Sequence, residues 1–323
     1  MVPDPGSSTV YAGTNEGLLV SADGGTTWTR RPLAPPEQIF ALAFDPADAS
    51  TIWAATGQGV SSTRDRGVTW TTVSLPPYRV PARDLRWARR SGFYPEALEA
   101  AASQFSQGKY SFKSIVTLRG AKTTVLAASL GVFRSADGGE TWRRIGIASA
   151  HLSGGEEGVE ELVVDPHDPR TVYAATSGGV AASHDAGATW GRLKGSPFVT
   201  ALVADPRTAG TLYAGTVKSG IVRSSDAGKS WTPLGGDLAT AYVRSLAVGP
   251  PGTLYAEVQD QGLFTSTDGA RSWTHSLSFG WGMPLAITID PRVATTLYVG
   301  TYRGIWRTND GGQRWRRVYP PEG

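Results

Sequence analysis

The octapeptide Ser21-Ala-Asp-Gly-Gly-Thr-Thr-Trp28 returns six more times along the 323 residues. The related stretches end at Trp70, Trp142, Trp190, Trp231, Trp273 and Trp315, and their acids are Asp23, Asp65, Asp137, Asp185, Asp226, Asp268 and Asp310. Successive acids are 42, 72, 48, 41, 42 and 42 residues apart. A unit of about 42 residues is the length of one four-stranded propeller blade. The 72-residue gap is one unit plus an insertion of about 30 residues, and the 48-residue gap carries a short one.

The remainder of each unit repeats as well. "ALAFDPADASTIWAAT" (41–56), "ELVVDPHDPRTVYAAT" (161–176), "ALVADPRTAGTLYAGT" (201–216) and "AITIDPRVATTLYVGT" (286–301) share one plan. An alternating run ends at Asp-Pro, and a turn leads into a second run rich in β-branched and aromatic residues. A Gly-ended turn then opens a third run, the octapeptide follows, and a fourth run closes the unit. Short runs of this composition bounded by turn chemistry are strands. Each unit therefore predicts a four-stranded antiparallel meander. Alone it leaves both faces wet, whereas seven in a ring bury each face against a neighbour. The fold class predicted is all-β: a seven-bladed β-propeller forming a single domain over 1–323, with an inter-blade insertion over 76–113 between blades two and three.

In this frame the octapeptide is a tight turn. Its acid bonds backbone N–H groups just ahead of it, Gly25 takes a positive φ, and Trp28 covers the blade edge with its N–H seeking an acceptor. One carboxylate per turn is too few for calcium, which takes six or more oxygens. Blade one is irregular: only "VPDP" precedes "STVYAGT". Either residues 1–4 fill part of its first strand or that strand lies outside this sequence, and fraying near Met1 is expected.

Copies of the form S-x-D-x-G-x-T-W resemble the Asp-box, or bacterial neuraminidase repeat, over nearly the whole chain. Ala270, in place of Gly, and Arg314, in place of Thr, depart from it. The resemblance implies a structural turn on the side away from the ligand site. It is shared by sialidases, xyloglucanases, sortilin-type receptors and photosystem II stability/assembly factors, so it bears on the fold and hardly on activity. The "RIP" signature of six-bladed sialidases is absent, xyloglucanases use two propellers, and the cysteine-rich modules of sortilin-type receptors are missing from a chain without cysteine. By size and copy number the chain is most similar to the assembly-factor-like group, many of whose members look like non-enzymatic binding proteins. The resemblance also implies an extracytoplasmic setting, periplasmic or secreted. No secretion signal is visible, although "MVPDPG" reads like the middle of a repeat, as though a leader were missing.

Strand direction puts the octapeptide and Asp-Pro turns on one face. The loops after "YAGT" and the inter-blade connections fall on the other, the mouth of the central channel, where ligand sites are expected. The larger insertion carries Arg79, Arg83, Arg86, Arg89, Arg90, Lys109 and Lys113 against Asp84, Glu96 and Glu99, a net +4 that leaves about −1 for the rest of the chain. Pro81 and Pro95 suit the first turns of two short helices, and Arg83, Arg86 and Arg90 would share one face. This is either a cationic lid for an anionic ligand or a solvated helix with internal ion pairs.

Positions that break their own repeat supply the catalytic candidates Glu257 and Glu161, and the mouth connections supply a third, Asp237. Glu257 stands where other blades have Gly or Ala, and Glu160, Glu161 and Arg244 sit in first strands beside the channel. Arg244 and Glu257 share a blade and could pair; buried carboxylates need such partners. The binding candidates are Arg79, Arg83, Arg86, Arg90, Arg244, Tyr242, Trp281, Tyr302, Arg303 and His151, with Glu156, Glu157 and Asp260 nearby. Trp281 in "FGWGMP" either stacks on a flat ligand or packs beneath its loop. No metal pair is spaced on one element among the four histidines, no phosphate loop or nucleophile elbow occurs, and no apolar run spans a bilayer. No cofactor and no metal are expected. Nucleic acid is disfavoured because the basic stripe is short, and a monomer is expected.

The leading expectation is a non-enzymatic scaffold recognising a protein or anionic partner through the mouth. The alternative is a carbohydrate-active enzyme, a glycoside hydrolase or polysaccharide lyase, with carboxylates at the mouth. A hydrolase needs two carboxyls flanking one bond. A third reading is a lectin without catalysis.

Overall fold

The computed structural model describes residues 1–31, 37–77, 103–104, 106–107, 110–147, 158–176, 178–249, 252–278, 284–301 and 303–320. The strands fall into seven four-stranded sheets, each built from consecutive strands paired antiparallel. Blade one comprises β1 (Val2–Pro3), β2 (Val10–Thr14), β3 (Gly17–Ser21) and β4 (Thr29–Arg31). First strands of the later blades are Ile39–Phe44, Ser114–Leu118, Val159–Val164, Ala201–Ala204, Val243–Gly249 and Pro284–Ile289. These first strands meet one another around the axis. The chain is a seven-bladed propeller. The larger insertion separates the second and third sheets, and the arginine-bearing, helix-predicted part of it lies outside the described residues.

Residues 1–4 do fill part of the irregular blade. Val2 and Pro3 pair with Tyr11 and Val10, and the Asp4 N–H donates to the Thr9 carbonyl at 2.8 Å. Among the described residues no strand is shared between the first and last sheets, and contacts between their faces join the two blades. Thr288 Oγ1 of blade seven donates to the Met1 carbonyl at 3.0 Å, and Tyr298 Oη to the Gly24 carbonyl at 2.8 Å.

The same two kinds of stitch recur around the wheel. Near the axis, side chains reach backbone groups of the adjacent inner strand. Thr117 Oγ1 donates to the Phe44 carbonyl at 2.6 Å, the Leu162 N–H to Ser114 Oγ at 3.1 Å, and Thr200 Oγ1 to the Val243 carbonyl at 2.5 Å. Further out, a large second-strand side chain presses on the next blade's octapeptide. A Cβ on Gly139 would sit 2.0 Å from the Trp53 ring and one on Gly187 2.7 Å from Leu126. At Gly139, φ is +89°, so glycine is required twice over, by backbone and by space. Tyr255 repeats the Tyr298 bond, donating to the Gly311 carbonyl at 3.1 Å.

Inside each turn the acid behaves as expected, with an addition. In blade four, Asp185 Oδ1 accepts the Thr189 N–H at 2.8 Å and Oδ2 the Thr189 hydroxyl at 2.6 Å. Ser183, two residues before the acid, is the buried hub. Its Oγ donates to Asp185 Oδ1 at 2.8 Å and accepts the Gly187 N–H at 2.8 Å, and the residue is 1% exposed. A Ser or Thr does the same in the other six turns. Trp28, Trp142, Trp190 and Trp315 each donate Nε1–H to the carbonyl of the glycine two residues after the turn's acid, at 3.1–3.2 Å. In blade three, hydrogen bonds from the Thr141 hydroxyl and N–H hold the Asp137 carboxyl well below the usual range. These acids are ionised acceptors already saturated by their own turn.

Replacing Ser183 by Ala would leave the Gly187 N–H buried without an acceptor. We expect a loss of about 1–3 kcal/mol in urea unfolding followed by circular dichroism. An unchanged midpoint would mean that the hydroxyl only fills space.

Candidate functional site

At the mouth, two carboxylates stand out electrostatically, and they occupy different junctions. Glu161 lies in the inner strand of blade four, in the register that holds Ala41 in blade two and Ala201 in blade five. Its Oε2 accepts the N–H of Leu202 in blade five's inner strand at 2.9 Å. Surrounding protein pushes its carboxyl up to about 7, and the Leu202 bond only partly offsets that. Glu161 is thus an inner-ring stitch, using the position that Ser114 uses one blade earlier. Its neighbour Glu160 points to solvent and pairs with Lys113.

Glu257 lies in the second strand of blade six, Thr253–Val258, opposite Ser245. It is 1% exposed. Sister residues at this register, Gly13 and Gly215, direct their Cβ sites at the next blade's first strand. Burial pushes the Glu257 carboxyl up to about 7, with Arg244 opposing the shift and Asp260 adding to it. Arg244 is close enough to bear on that carboxyl, while its Nε donates to Gln259 Oε1 at 3.2 Å and its guanidinium lies 5.2 Å from the Tyr242 ring centre. Gln259 in turn donates to Asp260 at 3.2 Å. Tyr242, Arg244, Glu257, Gln259 and Asp260 form one polar cluster. Among the described residues Glu257 Oε2 has no hydrogen-bond partner, and with the carboxyl raised to about 7 the protonated and charged forms are comparably populated near neutrality.

Asp237 is exposed and joins neither carboxylate. It accepts a 3.4 Å bond from the Trp273 N–H, beside the octapeptide of blade six. Arg303 is exposed in the last blade. Arg79, Arg83, Arg86, Arg90, His151, Trp281 and Tyr302 lie outside the described residues. Among the described residues, no three His, Asp or Glu side chains are grouped to hold a metal, and no helix is long and apolar enough to cross a membrane.

A cavity of about 510 Å³ opens where blades seven, one and two meet. This size falls within the range of ligand pockets. Its walls include Gly13 and the hairpin Thr14–Glu16 of blade one, Gln38–Leu42 of blade two, and Gly300 and Thr301 of blade seven. Arg30, Arg303 and Lys113 stand at its edge with a single acid, Glu16. Arg30 pairs with Glu16. Neither Glu161 nor Glu257 lines it. Repeat-breaking residues do not point to this cavity, because residues of three blades line it together.

No protein-family model matches the chain, and no curated protein matches it. Among solved structures it is similar to YCF48 bound to D1 peptide, at 15% identity over 97% of this chain and 85% of that one, with a TM-score of 0.61. It is also similar to an ancestral GH74 enzyme, at 18% identity over 99% of this chain and 46% of that one, TM-score 0.71. A third is the GH74 xyloglucanase from Xanthomonas campestris, at 18% identity over 97% of this chain and 53% of that one, TM-score 0.68. The chain spans about half the length of both GH74 structures. At these identities the likeness is one of fold. Its neighbours include a peptide-bound protein and glycoside hydrolases, the two groups that the repeat resembles.

Glu257 makes stability pH-dependent. A carboxyl raised from 4.5 to about 7 on folding binds more protons in the native state between those values. Its contribution is therefore present below about pH 4.5 and is lost as pH rises through 7. We expect Glu257→Gln to be more stable than wild type by roughly 2–3 kcal/mol at pH 8 and to show no gain at pH 4.5. Urea titrations at both pH values read this; an equal effect at both would place the charge in water.

Proposed function

We propose that the chain is a non-enzymatic binding propeller that recognises a protein or anionic partner through its mouth face. The observation that carries this reading is the separation of charge. The cavity rim holds Arg303 beside two ion pairs, Arg30 with Glu16 and Lys113 with Glu160, while the two carboxylates of raised pKa are set in other junctions. Glu161 is engaged with a backbone N–H, and Glu257 is sealed from solvent. The insertion over 76–113, read from sequence as an element of the same face, adds Arg79, Arg83, Arg86 and Arg90. A peptide-bound neighbour of the same fold is consistent with a protein partner.

A fluorescent deca-L-glutamate tests this by anisotropy. We expect saturable binding that weakens about tenfold with Arg303→Glu and falls steeply with salt. Binding indifferent to both changes would contradict it.

One observation favours a second reading. Two carboxyls near pH 7 are tuned like general acids, and the fold is also that of GH74 enzymes. Xyloglucan and aryl glycosides should then be cleaved by wild type and spared by Glu161→Gln and Glu257→Gln. The binding reading predicts equal, background rates for all three proteins.

A further inference from the structure

Towards the octapeptide face, the joint between blades continues outward across each sheet. The large second-strand side chain seated on the next blade's octapeptide heads a row of three, followed by one residue of the third strand and one of the fourth. In blade three the row is Leu126, Arg134 and Arg143, and in blade seven it is Tyr298, Arg307 and Arg316. Both rows therefore set two arginines directly opposite each other across a strand pair, on the face turned to the next blade. In the other five blades the fourth-strand residue at this place is Thr29, Thr71, Gly191, Thr232 or Thr274. Of these only Thr232 stands opposite an arginine, Arg223. Like charges directly opposite one another destabilise a sheet, and the sister blades show that the repeat does not need them.

The third-strand arginine of each pair is anchored. Arg134 Nε donates to the Ala186 carbonyl, in the octapeptide of blade four, at 2.8 Å. Arg307 Nη1 donates to Thr26 Oγ1, in the octapeptide of blade one, at 3.4 Å. The fourth-strand arginines, Arg143 and Arg316, are exposed. Among the described residues none of the four pairs with a carboxylate. The acid that bears on Arg134 is Asp185, and its oxygens are occupied by Ser183 and Thr189. Burial, and after it the Arg143 charge, push the Arg134 guanidinium below its ordinary range, so the pair is not neutralised from within. Guarding an edge strand against a second sheet would account for one exposed arginine per blade. It does not account for a half-buried partner such as Arg134, fixed through Nε and, among the described residues, with no acceptor for its Nη groups.

We infer that the junction of blades three and four seats a tetrahedral oxyanion, a phosphate or sulfate group, between the guanidiniums of Arg134 and Arg143, and that Arg307 and Arg316 repeat the seat between blades seven and one. A guanidinium is a planar fork that takes two oxygens at once, at about 2.7–2.9 Å. Two forks carried on side chains whose Cβ atoms stand about 4.5–5.5 Å apart offer more donors than the two oxygens of a carboxylate can accept. A phosphate or sulfate ester keeps three oxygens free and reaches both forks. Its charge also relieves the repulsion within the pair. The seat lies away from the mouth and does not depend on the binding reading proposed for that face.

In protein labelled with nitrogen-15, the side-chain Nε–H signals of Arg134 and Arg307 report the two seats. At constant ionic strength, inorganic phosphate and inorganic sulfate should each shift both signals saturably. Malonate, a dicarboxylate of matching charge, should need about tenfold more. The tighter of the two inorganic ions tells whether the natural group is a phosphate or a sulfate ester. Arg143→Thr installs the residue that four sister blades carry at this place. It should weaken the response of Arg134 about tenfold and leave that of Arg307 unchanged, and Arg316→Thr should do the converse. Without added anion, Arg143→Thr should melt no lower than wild type, because it removes a repulsion. The inference is overturned if neither inorganic ion shifts Arg134 saturably, or if malonate binds as tightly as both, which would mean attraction of any anion. It is also overturned if Arg143→Thr leaves the Arg134 response intact, or melts lower, which would make Arg143 an edge guard or a structural prop. None of these outcomes touches polyglutamate binding at the mouth, so the two proposals fail separately.

Discussion

A large side chain of one blade seated on the octapeptide of the next is the contact on which the wheel depends. A lone four-stranded sheet cannot bury its faces, and among the described residues no strand crosses from one blade to another. The ring therefore holds through side-chain packing and a few side chain-to-backbone bonds. Trp53 against Gly139, Leu126 against Gly187 and Tyr298 against Gly25 and Gly24 are instances of one joint. Burying such side chains contributes roughly 1.5–3 kcal/mol each. The joint also explains why the octapeptide is so restricted in composition. Its serine or threonine and its acid freeze the loop, and the glycine two residues after the acid, replaced by Ala270 in blade six, keeps the surface bare enough for the neighbour to land.

This division of labour decides where chemistry is available. Seven aspartates look like a reservoir of reactive acids, yet each is consumed by N–H and hydroxyl donors within five residues of itself. At the opposite end the demands are looser, and departures from the repeat gather there: a glutamate that stitches two inner strands and another sealed in place of glycine or alanine. Both are committed to the scaffold by bonding or burial.

The sequence revealed the scaffold because a 42-residue period, alternation within each run and turn chemistry all point to one architecture. Asp23 and its sisters were legible as turn acids from composition alone. Ser183 and its equivalents were less so, since a hydroxyl bonded to both a carboxylate and a backbone N–H requires coordinates to recognise. The repeat's register exposed Glu257 and Glu161 as anomalies, but it could not say that one is sealed and the other bonded across a junction. Asp237 was placed at the mouth by its position in a linker. The path of that linker brings it instead to Trp273 of the next turn, an inter-blade contact that no periodicity encodes. The cavity was not legible, because its volume depends on three blades meeting.

Thermal unfolding of two neighbouring glycine variants tests the central claim, that a large side chain seated on the octapeptide of the next blade holds the wheel. The account predicts that Gly139→Ala, whose Cβ would lie 2.0 Å from the Trp53 ring, lowers the melting temperature far more than Gly138→Ala, whose Cβ site has no atom within 4 Å although its φ is also positive. An equal loss in both variants would contradict it.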